Sequence, residues 1–192
     1  MASIRTFIAI ELTEATRDAL GALQDRLKQA RGGKAGRWVR KESIHLTLKF
    51  LGDVEEEKVE QICEAVRRAC EGRSTFSVTV AGLGCFPNTR RPRVLWTGVA
   101  GDVDALCDLQ QAVEREIVAL GFPEESHSFT PHLTLARMQR GARSEDIRAL
   151  GQMADEAPSE PVAEMQANAV SVMKSDLRPT GAVYTELCHI PL

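Results

Sequence analysis

The tetrapeptide His45-Leu46-Thr47-Leu48 recurs letter for letter as His132-Leu133-Thr134-Leu135, so two of the chain's four histidines stand in one context. Both copies alternate polar and apolar residues, the period of a strand with one wet face and one buried face. On such a strand His and Thr point the same way while the leucines enter the core. Each copy thus presents an imidazole and a hydroxyl on a single surface. Two such strands laid side by side would gather two imidazoles and two hydroxyls into one site.

The elements around the copies repeat as well: strand, helix, motif strand, helix, then strands. Ile4 to Ile10 alternates as a strand, and Thr13 is placed to cap a helix reaching about Ala30. Trp38 and Val39 form a short strand, and Ile44 to Leu51 carries the first motif. A helix from about Glu55 to Cys70 follows, then a strand over Phe76 to Ala81. Gly82 to Pro87 reads as a breaker-rich connection. Arg93 to Val99 is a strand, Asp102 to Leu120 a helix, and Phe129 to Arg137 the second motif strand. Ser144 is a candidate cap for a helix to about Met153, Ala154 to Pro161 reads as a loop, and Val170 to Lys174 and Ala182 to Ile190 close the chain as strands. The expectation is two lobes related by a pseudo-two-fold axis, with the motif strands lining the cleft between them.

A pair of imidazoles near neutral pH can hold one neutral ring and one protonated ring together. The neutral ring takes a proton from an attacking water, and the protonated ring gives one to a departing oxygen. Displacement at phosphorus with a poor alkoxide leaving group needs both. Thr47 and Thr134 can hydrogen-bond the non-bridging oxygens, where charge accumulates. Arg137 is the best phosphate ligand near a motif, but strict alternation puts it on the face opposite His132. It reaches the cleft only if the strand ends, bulges or twists at Ala136. Trp96 and Phe129 could stack on a base or belong to the core. Phe50 is in phase with Leu46 and Leu48 and reads as core. His127 and His189 lack a partner motif and read as surface or structural residues.

Other chemistries are disfavoured. Zinc sites want three or four ligands, and no third His, Cys or carboxylate stands at a ligand-like offset. Asp53 and Glu42 belong more naturally to turns. No metal and no cofactor is expected. The five cysteines show no C-x-x-C pair, and Cys63 and Cys70, one heptad apart on a helix, read as small buried residues rather than part of a disulfide framework. A net charge of −3 and a pI near 5.9 argue against non-specific binding to long nucleic acid. A local basic patch of Arg90, Arg91, Arg93, Arg137, Arg140 and Arg143 remains open beside the reading of arginines on solvated loops. No apolar run has the length of a membrane span and no signal-peptide pattern appears, so a cytoplasmic protein is expected, with a monomer as the default.

The segments RTFIAIEL, SIHLTLKFLGDV, AGLGCFPNTRRPRVLWTGV, GFPEESHSFTPHLTLAR and YTELCHIPL together resemble the two-histidine (2H) phosphoesterase superfamily. Within it they resemble the RNA 2′,3′-cyclic phosphodiesterases, first called 2′-5′ RNA ligases. The resemblance implies an α+β fold over residues 1–192, a single bilobal domain with one H-x-T-x motif per lobe. Each lobe would have an antiparallel sheet with outer helices, around a central cleft. It also implies metal-independent opening of RNA ends or nucleotides with a 2′,3′-cyclic phosphate to the 2′-phosphate. His45 would be the proton donor to O3′ and His132 the proton acceptor from water, while Thr47, Thr134 and Arg137 hold the phosphate. Sequence alone is symmetric on which histidine is acid. Ligation through an RNA 5′-hydroxyl, and a nucleotide- or RNA-end-binding module without turnover, are the alternatives.

Overall fold

Thr13 opens the first helix as predicted, its hydroxyl accepting the Thr16 N–H at 3.2 Å. In the computed structural model, which describes residues 3–178 and 181–192, α1 runs Glu14–Gln29, α2 Val59–Cys70, α3 Val103–Ala119 and α4 Ser144–Glu156. Asp102 caps α3 by accepting the Ala105 N–H. The cap expected at Ser144 is corrected: Arg143 occupies the N-cap, no side chain bonds there, and Ser144 is already helical. Each helix lays an apolar stripe on the sheet, such as Leu20, Leu23 and Leu27 of α1 or Leu106, Leu109, Val113 and Ile117 of α3. Among the described residues no helix is long and apolar enough to cross a membrane.

The strands are β1 (Ser3–Glu11), β2 (Gly36–Trp38), β3 (His45–Glu55), β4 (Phe76–Phe86), β5 (Val94–Gly101), β6 (His132–Met138), β7 (Pro161–Ala167), β8 (Ala169–Arg178) and β9 (Gly181–Pro191). β4 continues into the expected break at Gly82 to Pro87 as far as Phe86. Gly82, at φ +70°, absorbs one extra residue as a bulge, and Thr97 Oγ1 donates to its carbonyl at 2.7 Å. Gly84 is required for another reason: a Cβ there would stand 2.3 Å from the Trp96 ring. β7 falls where no strand was expected. Its buried residues, Met165 and Ala167, come at its end, behind the proline and acidic residues (Glu160, Pro161, Glu164) that read as loop.

All the strands join one antiparallel sheet in the order β7-β4-β5-β6-β3-β1-β8-β9, with β2 set beside β6. The sheet divides at its centre into pseudo-symmetric halves, β3-β1-β8-β9 and β6-β5-β4-β7, joined through the motif strands. The closing strands are exchanged: β4 comes after the first motif in the chain but pairs in the second half, and β8 comes after the second motif but pairs with β1. Ile8, Ile10, Leu46, Leu95, Leu133 and Leu135 on one face form the main core with the helices. Phe7, Ala9 and Met173, with Tyr184 against them, form a small separate apolar cluster.

The reading of Cys63 as a merely packed residue is corrected. Cys63 of α2 and Cys188 of β9 form a disulfide, their Cα atoms 6.3 Å apart across 125 residues of sequence. That proximity comes from packing of α2 on the last strand, which spacing along one helix does not reveal. Cys70 and Cys85 are free and buried, and burial pushes both thiols up to about 11, so they stay protonated and unreactive near neutrality.

Candidate active site

The two motifs meet at one rung, Leu46 against Leu133, the same position in each copy. The pseudo-two-fold axis therefore passes through this pair. Antiparallel register about it sets His45 opposite Thr134 and Thr47 opposite His132. Both leucines are fully buried, so the His and Thr side chains project from the other face, as the alternation predicts.

Each imidazole is held in the same way. His45 Nδ1 lies 3.0 Å from the Ser43 carbonyl and His132 Nδ1 lies 2.8 Å from the Thr130 carbonyl. A carbonyl only accepts, so Nδ1 carries the hydrogen in both rings. Nε2 is left in each as the atom that can take or give a proton. Aromatic rings wall both histidines. Phe7 stacks on His45 at 4.5 Å and Tyr184 meets it edge-on at 5.0 Å. Phe86 meets His132 edge-on at 4.8 Å, and Trp96 lies 6.1 Å away.

Burial among these rings pushes His45 down from 6.5 to about 4, with the facing His132 adding to the effect against the Ser43 hydrogen bond. His132 is lowered too, by burial and then by the Arg137 charge, against the Thr130 bond. Burial thus favours the neutral form of both rings, most strongly at His45.

A bulge at the fourth motif residue sets which later side chains reach the cleft face. On β3 the pairing with β1 steps from Thr47 to Lys49, leaving Leu48 extra, and on β6 the pairing with β5 steps from Thr134 to Ala136, leaving Leu135 extra. Leu48 and Lys49 are consecutive buried residues, as are Leu135 and Ala136. Parity is reset, and the sixth residue of each copy returns to the face of His and Thr. In the second copy that residue is Arg137, so the bulge it needs to reach the cleft is present. In the first it is Phe50, which is 59% exposed and lies 6.1 Å from Phe7. The reading of Phe50 as core is thus corrected.

Buried glutamines secure both bulges across the pseudo-axis. Gln24 of α1 donates to the Leu135 carbonyl at 2.9 Å and to Val39 at 2.8 Å. Gln110 of α3 donates to the Leu48 carbonyl at 3.5 Å. Each helix thereby reaches the bulge of the other half's motif; at Leu135 the carbonyl also accepts the Val39 N–H at 2.9 Å, so Gln24 ties the bulge to Val39 as well.

The remaining candidates are scattered. Trp96 stands beside His132, while Phe129 lies in the loop before β6, half-buried against the main core. His127 is exposed beside Ser126, and His189 is exposed beside Glu186. Arg90, Arg91, Arg93 and Arg140 are exposed, and Arg143 pairs with Glu145. Tyr184 escaped sequence reading because β9 reaches His45 only through β8 and β1. Among the described residues no three His, Cys, Asp or Glu side chains come together as a metal site.

Comparison with known proteins agrees with this geometry. The LigT-like phosphoesterase profile matches twice, over residues 10–96 and 99–184, once around each motif. An RNA 2′,3′-cyclic phosphodiesterase of Methanothermobacter thermautotrophicus is 37% identical over 184 residues, 96% of either chain. One from Thermotoga maritima is 33% identical, covering 96% of this chain and 93% of its own. Among solved structures, TT0787 of Thermus thermophilus superposes with a TM-score of 0.77 at 27% identity, over 98% of both chains. Escherichia coli LigT complexed with 3′-AMP shares the fold at 0.78 and 22% identity, over 100% of this chain and 99% of its own. With the motif doubled in sequence, in profile and across one rung of the sheet, the chain belongs to the LigT-like phosphoesterases, in their RNA 2′,3′-cyclic phosphodiesterase family.

Proposed function

We propose that the chain, working as a single bilobal domain over residues 1–192 with one motif per lobe, hydrolyses 2′,3′-cyclic phosphate at RNA ends or on nucleotides to the 2′-phosphate. The observation that carries the reading is the mirrored pair of imidazoles, each with Nδ1 tied to a carbonyl two residues back and Nε2 free. His132 accepts a proton from water as it attacks phosphorus, and His45 donates one to the departing O3′. The P–O3′ bond breaks as the P–O bond to water forms. Thr47 and Thr134 hydrogen-bond the non-bridging oxygens and the Arg137 guanidinium balances their charge. Trp96 and Phe50 offer faces to a nucleobase. Phe129 would join them only by leaving its contact with the core.

The first experiment incubates the purified protein, treated with EDTA, with a short RNA ending in a 2′,3′-cyclic phosphate, and resolves the 2′- and 3′-phosphate products. Formation of the 2′-phosphate at an undiminished rate is expected. Loss of turnover on chelation, restored by zinc, would replace the two-imidazole mechanism with a metal-dependent one. Binding without turnover at any pH would leave a recognition module.

The lowered basicity of both histidines fixes the pH response. Turnover needs one ring protonated and the other neutral. In the free enzyme both titrate below 6.5, His45 at about 4. The profile of kcat/KM, which reports the free enzyme, is therefore a bell lying in the acid range that falls as pH rises to neutrality. Bound phosphate brings a negative charge that favours imidazolium, so the bell for kcat lies at higher pH. Steady-state rates from pH 4 to 9 check this; coincident optima, or a kcat/KM optimum above pH 7, would contradict it.

A further inference from the structure

Arg37 stands directly opposite Arg137. β2 pairs with the end of β6, Gly36 against Met138, Arg37 against Arg137 and Trp38 against Ala136. Directly opposed residues of an antiparallel ladder share a face, with Cβ atoms about 5 Å apart. The bulge that turns Arg137 to the cleft thus gives it Arg37 as a neighbour. The flanking residues agree, since Gly36 and Ala136 are buried while both arginines are exposed. Like charges so opposed destabilise a sheet. Among the described residues, no carboxylate forms an ion pair with either guanidinium. Two adjacent unneutralised guanidiniums are an arrangement that an anion stabilises.

The two are not equivalent. Arg137 is turned to the cleft face by the bulge beside His132 and Thr134, where its charge reaches His132 and Tyr184, and it is the arginine assigned above to the reacting phosphate. Arg37 sits one strand further out, at the margin where β2 takes the place of β3 beside β6. A nucleoside 2′,3′-cyclic phosphate has a single phosphate and leaves Arg37 unengaged. An RNA end has a second, the phosphodiester on the 5′ side of its terminal nucleotide. We propose that Arg37 binds this second phosphodiester, so that the site favours RNA ends over free cyclic nucleotides. The inference rests on the proposed activity and names the substrate class within it.

The test compares kcat/KM on a tetraribonucleotide ending in 2′,3′-cyclic phosphate with that on the matching cyclic mononucleotide, for the wild type, Arg37→Ala and Arg37→Glu. The ratio of oligomer to mononucleotide is expected to fall about tenfold in Arg37→Ala and further in Arg37→Glu. For the oligomer, the slope of log(kcat/KM) against log salt should be shallower by about 0.7 in Arg37→Ala, one contact to a single strand. A ratio within twofold of wild type in both variants would overturn the proposal. If the wild type turned over neither substrate, the proposed activity would fail by itself. Binding of a 2′-phosphate-ended tetramer would then decide on Arg37: tighter binding by wild type than by Arg37→Ala supports the second phosphate site, and equal affinities overturn it.

Discussion

Replacing His132 by alanine is expected to lower kcat/KM on a 2′,3′-cyclic phosphate by a hundredfold or more, and His45→Ala by a similar factor. A hundredfold is about 2.7 kcal/mol of transition-state stabilisation, within the ordinary range for a positioned acid or base. The double variant should be little worse than either single one, because the two rings act on the same transition state. Both rings pack against aromatic neighbours, at 4.5 Å from Phe7 for His45 and 4.8 Å from Phe86 for His132. His→Gln variants and thermal melts therefore separate lost chemistry from lost packing. A second substrate distinguishes the roles. A nucleoside 2′-(4-nitrophenyl) phosphate has a leaving group that departs without a proton. His45→Ala should recover most of its deficit on this ester while His132→Ala does not. Recovery in His132→Ala instead would exchange the roles, and near-normal turnover of the cyclic phosphate by either folded variant would remove that histidine from the reaction.

Glu114→Ala is expected to destabilise the fold by about 3–5 kcal/mol, a large part of the ~5–15 kcal/mol available to a domain. Lys49, the residue after the first bulge, has a side chain only 3% exposed, with Nζ 2.8 Å from both Glu114 carboxylate oxygens and 3.0 Å from the Pro123 carbonyl. Glu114 Oε1 also accepts the Glu125 N–H at 2.8 Å. Removing the carboxylate strands an ammonium inside the protein and frees the loop that leads to the second motif. Lys49→Met should cost less, since Glu114 keeps the Glu125 N–H and is 16% exposed. The pair Lys49→Met with Glu114→Leu should recover most of the loss, because apolar replacement of both partners avoids desolvating either charge. Urea denaturation of these proteins, with Glu114→Leu alone to close the cycle, provides the measurement. Additive losses in the double variant would contradict the buried-charge account.

Local pattern and non-local structure divide the sequence's legibility. His45, Thr47, His132 and Thr134 were readable because strict alternation holds as far as the fourth motif residue. Beyond it, the faces of Arg137 and Phe50 depend on bulges. Those bulges are stabilised by Gln24 and Gln110 from helices of the opposite half, which no window around the motif contains. The cap at Thr13 was legible because a cap is decided within four residues, whereas the helix expected to be capped by Ser144 has its N-cap one residue earlier, at Arg143, without a side-chain bond. β7, the Cys63–Cys188 link and the place of Tyr184 beside His45 were not, since each depends on a partner brought up from elsewhere in the chain. Arg37 belongs with these: in sequence it is one exposed arginine among many, and only the β2–β6 register gives it a partner.

The exchange of closing strands also governs when the site can exist during synthesis. A nascent chain that has emerged as far as Met138 already carries both motifs. β1 still lacks β8 and so has an open edge. Met173 and Tyr184, which cover the cleft face around Phe7 and His45, have not yet been made. The first histidine of the chain thus draws part of its surroundings from β8 and β9. Synthesis must pass β9 before the first motif has Met173 and Tyr184 around it, and a fragment that stops short of β8 carries both His-Thr motifs without that enclosure.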